Sequence, residues 1–205
     1  MSLPSDELTT EPANPFATRF IRPGAVPYVF DEGQSTAMLI ERLESLRWWA
    51  QIVGPHGSGK STLLAQLAPA LEQAGRRPAM FALHDGQRRL PDHWSIEALR
   101  ISARLIIIDG YEQLSRASRY WLKRRCRREG WGLLVTAHDN VGFETLLWTK
   151  STLATAQAIV KQLLADSEMT VDPEAIVRCF AASKENVRET LFSLYDDVER
   201  RTTSS

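Results

Sequence analysis

The chain has 205 residues, 43% of them apolar, and its 25 basic residues balance 25 acidic ones. That length supports one substantial core with a small appendage, and no apolar run approaches the roughly 20 residues a membrane span needs. Two cysteines, Cys126 and Cys179, and four scattered histidines offer no metal-ligand spacing; with a polar, acid-containing start from Met1 to Asn14 they predict a reduced, cytoplasmic protein.

Residues 1–13, rich in Ser, Thr, Pro and Glu, predict a disordered N-terminus. Asn14 to Phe30, punctuated by Pro15, Pro23, Gly24 and Pro27, reads as an ordered extended lead-in. Helical spacing of Met38, Leu39, Leu43 and Leu46 predicts a helix over Ser35–Leu46. Trp48–Val53 follows as a buried strand, with Trp48 and Trp49 as core or sheet-face residues. Ser61–Gln73 is a Leu- and Ala-rich helix closing on Gly75. Ala79–Leu83 and Leu105–Ile108 are further strands, Glu112–Arg128 is a basic helix stopped by Gly130, and Trp131–Thr136 is a fourth strand. Strands alternating with helices over residues 14–150 predict an α/β three-layer sandwich on a mostly parallel sheet. Beyond Lys150 the pattern is helical alone: Thr152–Ala165, Pro173–Ala181 and Glu185–Arg201. Asp172-Pro173 marks a helix start. This small all-helical unit, 151–201, is short enough to need packing against the larger part, and 202–205 reads as a disordered tail.

Residues 54–61 carry the most specific signal, Gly54-Pro55-His56-Gly57-Ser58-Gly59-Lys60-Ser61. In such a loop glycines let the backbone curl so that N–H groups point at phosphate oxygens. The helix beginning there, with Thr62 in its first turn, presents its positive end to the same anion. Lys60 adds a full charge for the β- and γ-phosphates, and the Ser61 hydroxyl is a ligand for Mg²⁺. The nucleotide expected is ATP, because no Asn-Lys-x-Asp guanine-reading sequence occurs and Thr149-Lys150-Ser151-Thr152 lacks the acid.

Leu105-Ile106-Ile107-Ile108-Asp109 is an apolar strand ending in a carboxylate, placing Asp109 as a second Mg²⁺ ligand. With the phosphate loop about fifty residues earlier, the chain resembles the AAA+ and related P-loop ATPases, in which a further strand lies between these two. The resemblance implies ATP hydrolysis and a helical lid. It also places a water-polarising glutamate directly after the aspartate, where this chain has Gly110. Glu112 and Asp85 are the alternatives for that role. Thr136, with His138 second, stands where the family keeps a side chain that senses the γ-phosphate. Glu185-Asn186-Val187-Arg188-Glu189 resembles the nucleotide-reaching motif of the lid, with Arg188 as its arginine; the alternative is an exposed Arg188 paired with Glu185. Arg22, Pro23, Gly24 and Val26 lie where the family places part of its adenine pocket. Between Arg128 and Arg178 there is no arginine. The interval that should supply an arginine finger lacks one, which disfavours a conventional hexameric ring.

Seven of the basic residues, and no acid, lie between Arg116 and Arg128, so the rest of the chain has 18 bases against 25 acids. On a helical wheel Arg116, Arg119, Lys123 and Arg127 share a face, while Leu114 and Trp121 fall opposite, flanked by Leu122, and are expected to pack on the sheet. The basic face is a solvated surface, a surface for nucleic acid or an acidic protein, or a source of arginines for a nucleotide. Three functions stay open: a slow AAA+-like ATPase switch, a small-molecule P-loop kinase using Asp85-Gly86-Gln87-Arg88-Arg89, or a nucleotide-gated binding module without turnover.

Overall fold

A computed structural model describes residues 14–17, 24–165, 167 and 169–203. The expected disordered N-terminus, Arg22, Pro23 and the last two residues lie outside them. Helix α1 (Thr36–Ser45) leads to β1 (Trp49–Val53), α2 (Lys60–Gln73) and β2 (Pro78–Ala82). Next come α3 (Trp94–Arg100), β3 (Leu105–Asp109), a 3₁₀ turn (Tyr111–Gln113) and α4 (Arg116–Glu129). β4 (Gly132–Ala137) and β5 (Thr145–Trp148) complete the sheet, and α5 (Leu153–Leu164), α6 (Pro173–Ala182) and α7 (Val187–Thr203) follow.

The five strands are all parallel, in the order β2-β3-β4-β1-β5. β4 thus separates the strand before the phosphate loop from the strand ending in Asp109. Side chains alternate across the sheet as a pleat requires. Leu105, Ile107 and Leu134 join Leu63, Leu64 and Leu67 of α2 on one face. Ile106, Ile108, Leu133 and Val135 join Leu122 and Cys126 of α4 on the other. Burial on both faces is why β3 reads as an unbroken apolar run, and it makes the three-layer α/β sandwich.

β5 and α3 were not among the expected elements. Four residues, Thr145–Trp148, carry too little pattern to separate a buried strand from a loop, and α3 has only seven residues. The basic helix starts at Arg116, capped by Ser115, rather than at Glu112. Likewise α7 starts at Val187, so Glu185 lies outside the helix with φ 61°. The pairing of Glu185 and Arg188 along one helix face is therefore not formed; Arg188 lies over the Phe192 ring at 5.7 Å. α7 runs to Thr203, so the expected tail at 202–205 loses its first two residues to helix.

Of the four residues on the face of α4 expected to be a basic surface, Arg116 and Arg127 are exposed, while Arg119, Lys123 and Arg127 lie over aromatic rings. Arg119 lies 5.1 Å from the Tyr111 ring, Lys123 4.3 Å from Phe143 and Arg127 5.4 Å from Trp49. Cation–π attraction holds them there, helped at Arg119 and Lys123 by partial burial of the aliphatic stems. Burial, then Arg127 and Arg119, push the Lys123 ammonium below its ordinary pKa. Conversely Trp121, expected on the sheet, is 63% exposed, and Leu122 and Cys126 take the core.

Phe16 also departs from the expected division of the chain. It is fully buried, not against the sheet but among Ala156, Val160, Phe180 and Leu191 of the three-helix unit. Asn14 fastens it there, donating from Nδ2 to Tyr195 O at 3.2 Å and to Glu199 Oε1 at 2.8 Å. The lead-in thus supplies a core residue to a helical unit too small to fill its own interior. Phe16→Ala is expected to cost about 3–5 kcal/mol in denaturant unfolding, with the loss read first in that unit by hydrogen exchange of α5–α7 amides.

Candidate functional site

Helix α2 is the place to begin, because its N-terminus is left open. In α1, α4, α5 and α6 a side chain of Ser35, Ser115, Thr152 or Asp172 accepts a hydrogen bond from the first turn. α2 is preceded by Gly59, which has no side chain to do so. Its first N–H groups remain donors without a capping partner, directed at whatever the loop encloses.

Lys60, the first residue of α2, is buried, and its Nζ donates to Gly54 O at 2.6 Å and Pro55 O at 2.8 Å. The ammonium therefore hangs across the loop instead of extending into solvent. Burial lowers its pKa, opposed by Glu112 and then Asp109. A bound polyanion would act in the same direction as those two carboxylates and favour the charged form.

Ser61 and Asp109 are 48 positions apart, yet the Ser61 hydroxyl donates to Asp109 Oδ2 at 2.6 Å. The Thr136 hydroxyl donates to Asp109 Oδ1 at 2.5 Å and accepts from Gly110 N at 2.9 Å. Thr136 is fully buried, its hydroxyl shared between Asp109 and Gly110, and so holds the Asp109 carboxylate. Two residues on, His138 reaches the loop. Its Nε2 lies 3.0 Å from Glu112 Oε1, and its Nδ1 lies 3.4 Å from Lys60 Nζ and 3.3 Å from Gly54 O. Gly54 O already accepts from Lys60, and an ammonium sits beside Nδ1. The network therefore assigns the imidazole proton to Nε2, donating to Glu112. The His56 ring packs on His138 with centroids 3.6 Å apart. Burial, then His138 and Lys60, lower the His56 pKa.

The structure separates the two carboxylates offered for polarising water. Glu112 sits on the 3₁₀ turn, bonded to His138, with its Oε2 buried and without a hydrogen-bond partner. Arg119 of α4 holds that turn, donating to Glu112 O at 2.7 Å. Asp85 is exposed and accepts from Gln113 Nε2 at 3.2 Å. Gly110 explains the departure from the family pattern. Its φ of 84° is the left-handed conformation glycine adopts readily, and a Cβ there would lie 2.9 Å from Leu83 O. The chain turns at that point, and Glu112 follows three residues after Asp109.

Three further residues frame the loop. Thr149, just past β5, lies 2.6 Å by its hydroxyl from Ser58 Oγ and donates its N–H to Val53 O at 2.7 Å. Tyr28 lies over Gly59, and its N–H donates to Gln66 Oε1 at 2.6 Å. Asn186 caps α7 by accepting from Glu189 N, and its side chain sits so close to Gly57 that any Cβ there would collide with it. The helical unit thus meets the loop through Asn186, while Arg188, two residues on, is exposed. Thr149 and Tyr28 carry no motif signal. Gly24, against Ala65 of α2, and buried Val26 set the lead-in along the same helix.

This strand order, with the loop between β1 and α2 and Asp109 one strand beyond β4, is that of a P-loop NTPase fold. Solved structures share it. DnaA from Aquifex aeolicus in its AMPPCP-bound form has a TM-score of 0.54 at 17% identity, over 82% of this chain and 61% of that one. The replication initiator DnaA bound to AMPPCP and single-stranded DNA gives 0.56 at 17% identity, over 86% and 67%. The S. cerevisiae Hsp104–ADP complex gives 0.53 at 12% identity, over 87% and 32%. The chain spans roughly two thirds of the DnaA structures and a third of Hsp104, and at such identities the likeness is one of fold. No family model matches the chain, and no curated protein matches it in sequence. Among the described residues no helix is long and apolar enough to cross a membrane.

Proposed function

We propose that the chain binds ATP with Mg²⁺ in the loop Gly54–Ser61 and hydrolyses it slowly, with the helical unit 151–201 responding to the nucleotide through Asn186 and Arg188. The observation that carries this reading is the meeting of Ser61 and Asp109 at 2.6 Å beside the open end of α2, under the Lys60 ammonium. Backbone N–H groups of His56–Thr62 take the phosphate oxygens, and Lys60 supplies charge for the β- and γ-phosphates. Ser61 and Asp109 are the hard oxygen donors that would hold Mg²⁺, which when bound neutralises charge on the phosphates. Thr136 keeps the Asp109 carboxylate oriented. Glu112 accepts a hydrogen of the attacking water and aims its lone pair at the γ-phosphorus. His138, between Glu112 and Lys60, senses the phosphate that Lys60 binds.

Titration calorimetry with Mg-ATP and Mg-GTP, followed by phosphate-release assays, tests the reading. A preference for ATP with slow turnover is expected, and no heat with any triphosphate would remove it. Asp109→Asn is expected to retain most ATP affinity in EDTA. Its Mg²⁺-dependent turnover should fall by more than about 100-fold, beyond the usual cost of a second-sphere change.

The segment Asp85–Arg89, which a kinase would turn toward an acceptor, is tied to α4 instead, with Ser115 N and Ser118 Oγ both donating to Arg88 O. A conventional hexameric ring is disfavoured as well. β4 passes to β5 through the loop 138–144, and the chain from 129 to 177 contains no arginine to act on a neighbour's nucleotide.

A further inference from the structure

The side of α4 turned away from the aromatic rings borders a second site. Together with the segment leading into α3 it encloses a groove of about 620 Å³, within the range of ligand clefts. Leu90, Pro91, Ala117 and Leu122 give it an apolar lining, and Arg89, Arg124, Arg125 and Arg128 add four guanidinium groups. Arg125 and Arg128 both reach Glu129, at 3.4 and 3.2 Å. Arg89 and Arg124 make no ion pair among the described residues, and Asp92 is the one acid in the lining. Trp121 also lines the groove, 63% exposed, with its edge against Tyr120, itself 59% exposed.

We propose that this groove binds an acidic, partly apolar peptide segment of another protein. Its carboxylates would pair with the guanidinium groups, and an apolar side chain would cover Trp121. Planar guanidinium forks match carboxylates in two-point contacts. Apolar contact flanked by polar groups, with Trp and Arg present, is the make-up of the energetic centre of protein interfaces. The charge surplus selects an acidic occupant. Single-stranded nucleic acid fits less well because it needs successive rings with free faces. Trp94 packs edge-on against Phe81 and Trp131 at 6.2 and 6.1 Å, which leaves Trp121 as the main platform. The site is separate from the phosphate loop and does not depend on the reading of that loop.

The test pans a displayed random dodecapeptide library on the immobilised full chain, with Arg124→Glu/Arg128→Glu as the depletion target. Acid-rich peptides containing Leu, Phe or Trp are expected. By fluorescence anisotropy they should bind the double variant and Trp121→Ala at least about tenfold more weakly than the parent chain. Arg116→Glu, on α4 but outside the groove lining, should bind as the parent does. Circular dichroism melts of the variants confirm that they are folded. Recovery of no peptide, or of peptides without acids, overturns the proposal. So does binding by the folded double variant within about twofold of the parent. Oligo-dT that displaces the peptides and binds tighter through the same arginines overturns it in favour of nucleic acid.

Discussion

Lys60→Ala is expected to abolish measurable binding of Mg-ATP while leaving the protein folded. The ammonium is a compact full charge held inside the loop, and truncating one member of such a desolvated pair typically costs about 3–5 kcal/mol. Affinity should therefore fall by at least about a hundredfold. Stability should change little. The charge is already disfavoured by burial, and what the substitution leaves behind is two carbonyl groups, Gly54 O and Pro55 O, without that donor. Under-satisfied carbonyls are tolerated better than orphaned N–H groups. The paired measurement is thermal: ATP should raise the midpoint of the parent chain by mass action and leave that of Lys60→Ala unmoved. Unchanged affinity in Lys60→Ala would show that triphosphate binds elsewhere.

Glu112→Gln carries the second large effect, on turnover and not on binding. Glutamine preserves shape and can still accept from His138 Nε2, but it cannot take a proton from water. Loss of a positioned general base lowers rates by about 10²–10⁴-fold, so phosphate release should fall by that order with ATP affinity within about threefold of the parent. Asp85→Asn is the control. Its exposed carboxylate is hydrogen-bonded to Gln113, and its turnover should match the parent. Equal loss in both variants, or loss in Asp85→Asn alone, would move the water-polarising role away from the 3₁₀ turn.

The contrast between the two carboxylates shows what kind of feature a linear reading can recover. Asp109 was legible because an apolar strand and its terminal acid are consecutive, and their distance from the phosphate loop is a matter of counting. Glu112 and Asp85 looked alike from the chain, since both follow a strand closely. Only folding shows that Arg119 pins the Glu112 turn and that His138 reaches it from β4. Thr136 stands at the expected strand end beside Asp109, and only the fold shows its hydroxyl shared between Asp109 and Gly110.

On α4 the order of residues determines the periodicity and not the orientation. A helical wheel establishes that Arg119, Lys123 and Arg127 share a side. It does not establish which side faces inward, because long cationic arms pack well on aromatic rings. Here Tyr111, Phe143 and Trp49 supplied those rings, and Trp121 was left in solvent.

The local chemistry was set by the order of residues alone: a glycine-bearing loop ahead of a helix, apolar runs long enough to be strands, and side chains that cap helices within four positions. Everything that depends on separate elements meeting waited for the tertiary structure. That includes Ser61 on Asp109, Asn186 against Gly57, Phe16 in the helical core and β5 at the sheet edge. Backbone geometry is decided over a few bonds and leaves its mark in neighbouring residues, whereas a contact across the fold is decided by which surfaces are free to bury one another.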